Sequence, residues 1–268
     1  MTRRILKAFV YLIPALLMTP AVQADATLTM KDGSGKMDSV IEVKGHMVRM
    51  SSPGDSEYML YDAQRDMVIH VNSAKREYME IDRNTLAEMA DSVARVRKEM
   101  APQMAMMRER LKNLPPEQRA MIEQQMGGMA SLGAMEAKPA ARLTSVKRGS
   151  DKVAGFKCER YDVMSDKQRV SELCVATRTG AGLSKSDFST VRSAMKFMRE
   201  MAAGAQEISA GMGATEMSMG DVDGVPVSAK DLRNGREFHL VKVSGDKLDE
   251  TRFNAYRSMS KKDMPKMR

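Results

Sequence analysis

The sequence predicts an α+β fold of about eleven strands and three helices. Three observations carry this expectation. Apolar residues alternate with a period near two through the first part of the chain, broken by hairpin-length polar connections. The period changes to about 3.6 at Asp82 and holds for some thirty residues. Strand-like runs then return, with one further helical stretch among them. Strands come in blocks rather than alternating singly with helices, which argues against βαβ units.

The first 24 residues read as a secretory leader. Arg3, Arg4 and Lys7 form a basic start, and Ala8 to Thr19 is an apolar run interrupted by Pro14. Val22-Gln23-Ala24 offers small residues at the −3 and −1 positions, so cleavage is expected after Ala24, with export to the periplasm. The apolar run is about a dozen residues, short of the roughly 20 that span a bilayer, so an uncleaved anchor is the weaker reading. No cysteine stands near the cleavage position, which disfavours a lipoprotein. Residues 25–257 are expected to form a single domain, and 258–268 a basic flexible tail.

After the leader, Ala26–Lys31, Met37–Val43 and His46–Ser51 are short strands punctuated by Asp32-Gly33-Ser34-Gly35 and Lys44-Gly45. Glu57–Asp62, Asp66–Val71 and Arg76–Ile81 follow, joined by four-residue connections. Met67, Ile69 and Val71 share one face, and an antiparallel meander with one buried face is expected.

Asp82 is placed to cap a helix. From there Leu86, Met89, Val93, Val96, Met100, Met104, Met107, Leu111 and Leu114 recur at steps of three and four, a single apolar stripe. Pro102 lies off that stripe and should kink or split the helix. Pro115-Pro116 opens a second helix that stops at Gly127-Gly128, so residues 83–129 read as a helical hairpin inserted between strands. Gly133 to Pro139 is a linker, and Ala141–Arg148 is the next strand.

Val153–Val163 and Arg169–Thr177 form a predicted hairpin around Ser165-Asp166-Lys167. Centred on Asp166, it sets Cys158 opposite Cys174, Arg160 opposite Glu172 and Phe156 opposite Ala176. In an exported chain with two cysteines this favours a structural disulfide. A redox-active pair is the sharper alternative, but such pairs usually stand as Cys-x-x-Cys.

Ser184 to about Ile208 is a third helix, capped by Ser184 or Ser186 and striped by Phe188, Val191, Met195, Met198, Met201, Ala205 and Ile208. Residues 209–221 read as a mobile loop. Val225–Asp231 and Arg236–Ser244 form a final strand pair around Arg233-Asn234-Gly235.

Composition narrows the function classes. The formal charge is +8, and 3 of the 43 basic residues lie in the leader, so the remainder carries +5. A basic protein could bind nucleic acid, but an exported one seldom meets any; attraction to anionic lipid, or plain solubility, fits better. The three histidines, His46, His70 and His239, show no metal-ligand spacing, and no nucleophile elbow, phosphate loop, dinucleotide fingerprint or zinc pattern appears. No catalytic, cofactor or metal site is expected, and no partner can be named.

The outstanding compositional feature is 28 methionines with no tryptophan. Flexible, polarizable methionines suit an adaptable apolar surface. They could equally present thioethers to Cu(I), through Met195-x-x-Met198-x-x-Met201, Met126-x-x-Met129, Met217-x-Met219 or Met264-x-x-Met267, or buffer oxidation. The same steps of three and four are what any amphipathic helix produces, so packing is the simpler account.

Three groups of residues together carry a family resemblance. They are Ile69-His70-Val71-Asn72 through Lys75-Arg76-Glu77-Tyr78-Met79-Glu80, then Leu114-Pro115-Pro116-Glu117-Gln118-Arg119-Ala120-Met121, then Val153-Ala154-Gly155-Phe156-Lys157-Cys158 with Glu172-Leu173-Cys174-Val175-Ala176. In order and spacing the chain resembles a family of exported bacterial proteins defined only by a domain of unknown function. That family in turn resembles the fold of the periplasmic lipoprotein carrier LolA and the receptor LolB. The resemblance implies an eleven-stranded antiparallel sheet curled into an open half barrel, with helices over its concave face.

The functional expectation is an exported, non-catalytic binding or carrier-like protein whose apolar, methionine-lined cavity takes a lipid chain or apolar polypeptide segment. The candidate face is Met89, Val93, Val96, Met100, Met104 and Met107 with Met195, Met198 and Met201. The alternatives are a Cu(I)-handling or oxidation-buffering envelope protein, and a structural or stress protein whose core is filled.

Overall fold

Twelve strands lie side by side in one open, unclosed sheet in the computed structural model, which describes residues 25–112, 143–209 and 221–263. The first six are β1 (Ala26–Asp32), β2 (Met37–Lys44), β3 (Met47–Ser51), β4 (Glu57–Asp62), β5 (Met67–Asn72) and β6 (Glu77–Ile81). Each pairs antiparallel with the next, as short polar turns dictate. A second meander runs through β7 (Leu143–Val153), β8 (Phe156–Ser165), β9 (Gln168–Ala176), β10 (Val225–Asp231) and β11 (Glu237–Ser244). The two become one sheet where β1 pairs with β11. The outer strands are then β7, rich in lysine and arginine, and β12 (Ser260–Lys261); charge on one and brevity of the other blunt the sheet's edges.

Of the expected flexible tail, residues 258–263 are described, and within them Ser260–Lys261 form β12. Ser260 and Lys261 pair in parallel with Glu77 and Tyr78, and Lys261 and Lys262 reach Glu80 and Glu77. Paired backbone and two ion pairs hold residues that composition alone marks as loose.

Helix α1 (Arg83–Lys112) starts at the expected cap: Asp82 Oδ1 accepts from the Thr85 amide at 2.7 Å. It continues through Pro102 without being split. A single turn, α2 (Arg178–Ala181), precedes α3 (Lys185–Ser209). Ser184 caps α3, its Oγ accepting from the Asp187 amide at 3.1 Å. A last turn, α4 (Thr251–Asn254), runs into a 3-10 turn at Ala255–Ser258. The leader, the second helix of the expected hairpin, the Gly133–Pro139 linker, most of the 209–221 loop and the last five residues lie outside the described residues. No described helix is long and apolar enough to cross a membrane.

α3 lies on one face of the sheet. Val191, Ala194 and Phe197 pack there with Leu28, Val43, Val48, Tyr61, Val68, Val227 and Leu240, all buried. The opposite face is buried too, against the expectation of a one-sided meander. Met47, Leu60, Met67, Ile69 and Val71 meet Phe253 and Tyr256 from the C-terminal turns. Along β5, Val68 faces the helix side while Ile69 and Val71 face the C-terminal side, so the apolar run Met67-Val68-Ile69 serves both. A third cluster forms around Val163, Val170, Leu173 and Val175.

The Cys158–Cys174 disulfide forms, with a Cα–Cα distance of 5.4 Å. Its register differs from the expected one. The turn holds two residues, 166 and 167, and a bulge at Val163/Met164 shifts the pairing, so Arg160 stands opposite Cys174 and Asp162 opposite Glu172. Cys158 therefore bridges diagonally to Cys174 on the same face. The expected Arg160–Glu172 and Phe156–Ala176 pairs do not form: Arg160 reaches Asp151, and Glu172 pairs with Arg169. Pro226 lies in β10 beside a register shift between Pro226 and Ser228, the kind of irregularity at which strands tolerate proline.

Replacing both Cys158 and Cys174 by serine is expected to lower the unfolding free energy by about 3 kcal/mol, measured by urea titration against the oxidised parent. Phe253→Ala, which uncovers the back of β4 and β5, is expected to cost about 3–5 kcal/mol by the same titration, whereas truncation before Ser260 costs less.

Candidate functional site

The residues proposed to form an apolar face sit on α1 and α3. On α3 the fully buried line is Asp187, Thr190, Val191, Ala194 and Phe197. Met195, Met198 and Met201 are half-buried on its flank, touching the core cluster without forming its centre. The expected stripe is thus rotated about Val191, which is buried as expected: Phe197, not a methionine, is the largest fully buried side chain of α3. The helix carries apolar residues over more than one line, and the sheet selects the line with a small Ala194 beside a flat ring.

On α1, Val96 is half-buried and Met100 is 40% exposed. Met106, adjacent in sequence to the proposed Met107, is 60% exposed. The side chains of Met89, Val93, Met104 and Met107 fall outside the described residues. The main neighbour of α1 is α3, and at its start Leu86 also packs against the core cluster between α3 and the sheet. The reason is geometric: α3 already occupies the sheet face, and α1 lies against α3.

Where α1 begins, the joint between helices and sheet is closed. The Phe197 and Tyr61 rings lie 5.7 Å apart between α3 and the strands. Arg83, the first residue of α1, lies over the Phe197 ring at 5.5 Å and ion-pairs with both Asp66 of the β4–β5 turn and Glu200 of α3. Asp66 also accepts from the Tyr61 hydroxyl at 3.0 Å. Burial, then the hydrogen bond to Asp66, push the Tyr61 hydroxyl up to about 12. The hydrogen bond from Arg83 holds the Asp66 carboxyl below its ordinary range. Asp66, Arg83 and Glu200 are distant in the chain and share no local pattern, so sequence shows only the Asp82 helix cap beside this node.

The histidines lie apart. His46 is 3.7 Å from Asp62, His70 is 3.4 Å from Glu57, and His239 is in β11. Among the described residues no three His, Cys, Asp or Glu side chains converge as metal ligands. Among the described residues, half-buried Met195, Met198 and Met201 on α3 and exposed Met100 and Met106 on α1 lie on the helix pair that Arg83 joins to Glu200.

Comparison with known proteins adds a family. The model of the "Domain of unknown function (DUF4412)" matches residues 84–255. No curated protein matches the chain. Among solved structures the chain is similar to an uncharacterized conserved protein from Thermus thermophilus, at 7% identity over 90% of each chain with a TM-score of 0.39; that likeness carries no argument.

The Arg83 node generates two expectations. Phe197→Ala should cost about 3–5 kcal/mol of stability, measured by thermal or urea unfolding. Asp66→Asn should cost at most about 1 kcal/mol near neutral pH, since the Asp66 side chain is 45% exposed. The lowered carboxyl favours the fold above the ordinary value of 3.8 and loses that effect as pH falls through the lowered one. Parent and variant unfolding curves should therefore converge on acidification; a gap that widens instead would contradict the pair.

Proposed function

The chain belongs to the family defined by the domain of unknown function DUF4412, and from that premise we propose an exported, periplasmic, non-catalytic binding protein. Its ligand is an apolar chain, lipid or polypeptide, taken between α1 and α3. One observation carries this reading: Met195, Met198 and Met201 flank the buried line of α3 half-exposed, while α1 has α3 as its main neighbour. An apolar seam between two helices can be opened without unmaking the sheet, and methionine side chains re-pack around irregular partners. The leader with cleavage after Ala24 supports export, and the disulfide suits an oxidising compartment. A carrier-like fold of the LolA and LolB kind, with residues 25–257 as one domain, belongs to the same proposal.

A second reading is favoured by a different observation. Phe197 and Tyr61 fill the joint between α3 and the sheet, which fits an envelope structural protein with a filled core. Both readings place any ligand outside that joint.

The deciding measurement is mass spectrometry of protein released gently from its own envelope, together with titration of a fluorescent apolar probe. Bound lipid or peptide and saturable probe binding are expected. Met195→Gln with Met198→Gln should weaken probe binding about tenfold, while replacing Met195, Met198 and Met201 by leucine preserves it. No co-purifying molecule and no probe binding leave the filled-core reading. Cu(I) affinity that falls in the leucine variant would favour metal handling instead.

A further inference from the structure

Asp187 is an unpaired charge-bearing group in a buried place. It lies in the first turn of α3, is 1% exposed, and its Oδ1 has no hydrogen-bond partner among the described residues. The other oxygen accepts from Ser184 Oγ. Burial, and beyond it the nearby Asp25 carboxylate, hold the Asp187 carboxyl above its ordinary range. A buried carboxylate oxygen without a donor is costly, and such sites are normally completed by a cation or hydrogen-bond donor.

The surroundings identify what is missing. Thr190, one turn along the same face of α3, donates to the Gly45 carbonyl at 3.1 Å, which seats this end of the helix on the β2–β3 turn. The β1–β2 register, Ala26 opposite Val43, brings Asp25 beside Lys44. Asp25 is itself 7% exposed, and its Oδ2 is already satisfied by Lys44 Nζ at 3.0 Å and the Leu248 amide at 2.7 Å. Lys44 is thereby committed to Asp25, and Asp187 is left with Ser184.

Under the export reading, leader removal creates a new cation at Asp25. Asp25 follows Val22-Gln23-Ala24, the motif at which the leader is expected to be removed. Hydrolysis of the Ala24–Asp25 peptide bond consumes one water, leaves a carboxylate on Ala24, and turns the Asp25 amide nitrogen into a primary amine. That amine has an ordinary pKa near 8, is protonated at neutral pH, and carries three N–H donors where the peptide had one. We propose that Asp187 is the acceptor for the α-ammonium group created at Asp25 by leader removal, so that processing completes an ion pair between α3 and the first strand. The pair exists only in the processed chain, so the fold tightens after export, which suits a precursor that must cross the membrane unfolded. This inference rests on the export reading above.

The test compares four full-length mature chains: residues 25–268 beginning at Asp25, the same chain extended by Ala24, and each with Asp187→Asn. The extension should lower the thermal midpoint by about 4 °C when Asp187 is present and leave it nearly unchanged with Asp187→Asn. Labelling of the α-amine by an amine-directed reagent at neutral pH should be at least tenfold slower in the Asp187 chain than in its asparagine variant. Equal effects of the extension in both backgrounds, with an α-amine as reactive in both, would overturn the pair. Intact-mass measurement of the naturally exported protein separates the two ideas. A chain beginning at Asp25 without coupling removes the pair alone; a chain beginning elsewhere removes the cleavage reading and the pair with it.

Discussion

The pairing of β1 with β11 is the constraint on which the rest of this structure depends. Each meander could form from local hairpins, but neither half alone presents a wide enough surface to bury α3. The seam sets Leu28 against Val243 and Met30 against Leu240, with a bulge between Thr29 and Met30. It joins segments more than two hundred residues apart, so its loop-closure cost must be met by burial across the whole face. Leu28, Val43 and Leu240 lie near that seam, and all three belong to the core that α3 covers.

Two consequences follow from the seam. The strands on either side of the helical insertion, β6 and β7, end up near opposite edges of the sheet, so the chain after Ile81 must travel the sheet's width before it can pair again. α3 occupies the shared face through Val191, Ala194 and Phe197, and α1 lies mainly against α3. The reverse face is then covered by Phe253 and Tyr256, which follow β11 directly and return the chain to β6. Between α3 and the strands the Phe197 and Tyr61 rings pack against each other within the main core. Arg83 ties the start of α1 to the β4–β5 turn and to α3.

Most elements were legible in the sequence. Glu57–Asp62 and Val225–Asp231 have the expected bounds, because alternation and turn residues agree there. The Asp82 and Ser184 caps are equally local. What failed was any inference that needed an exact count across a turn. One extra residue near Val170 shifts the β8–β9 register, yet the disulfide survives because Cys158 and Cys174 remain on one face within bridging distance. The stripe on α3 failed differently: periodicity defines a broad apolar face, and only the partner surface chooses its centre. Of the candidate site, the methionine positions on α3 were legible as helix-borne and apolar, but their place on the flank was not.

The sequence by itself determined the eleven main strands to within a few residues, the two long described helices and their caps, and the two cysteines that pair. Those properties depend on residues close in the chain or on composition. The tertiary structure decided which strands meet at the seam, that β5 is buried on both faces, that Phe197 rather than a methionine fills the core of α3, and that Asp187 lies buried near Asp25. Each of these depends on surfaces brought together from distant parts of the chain, and on packing that a one-dimensional pattern does not record.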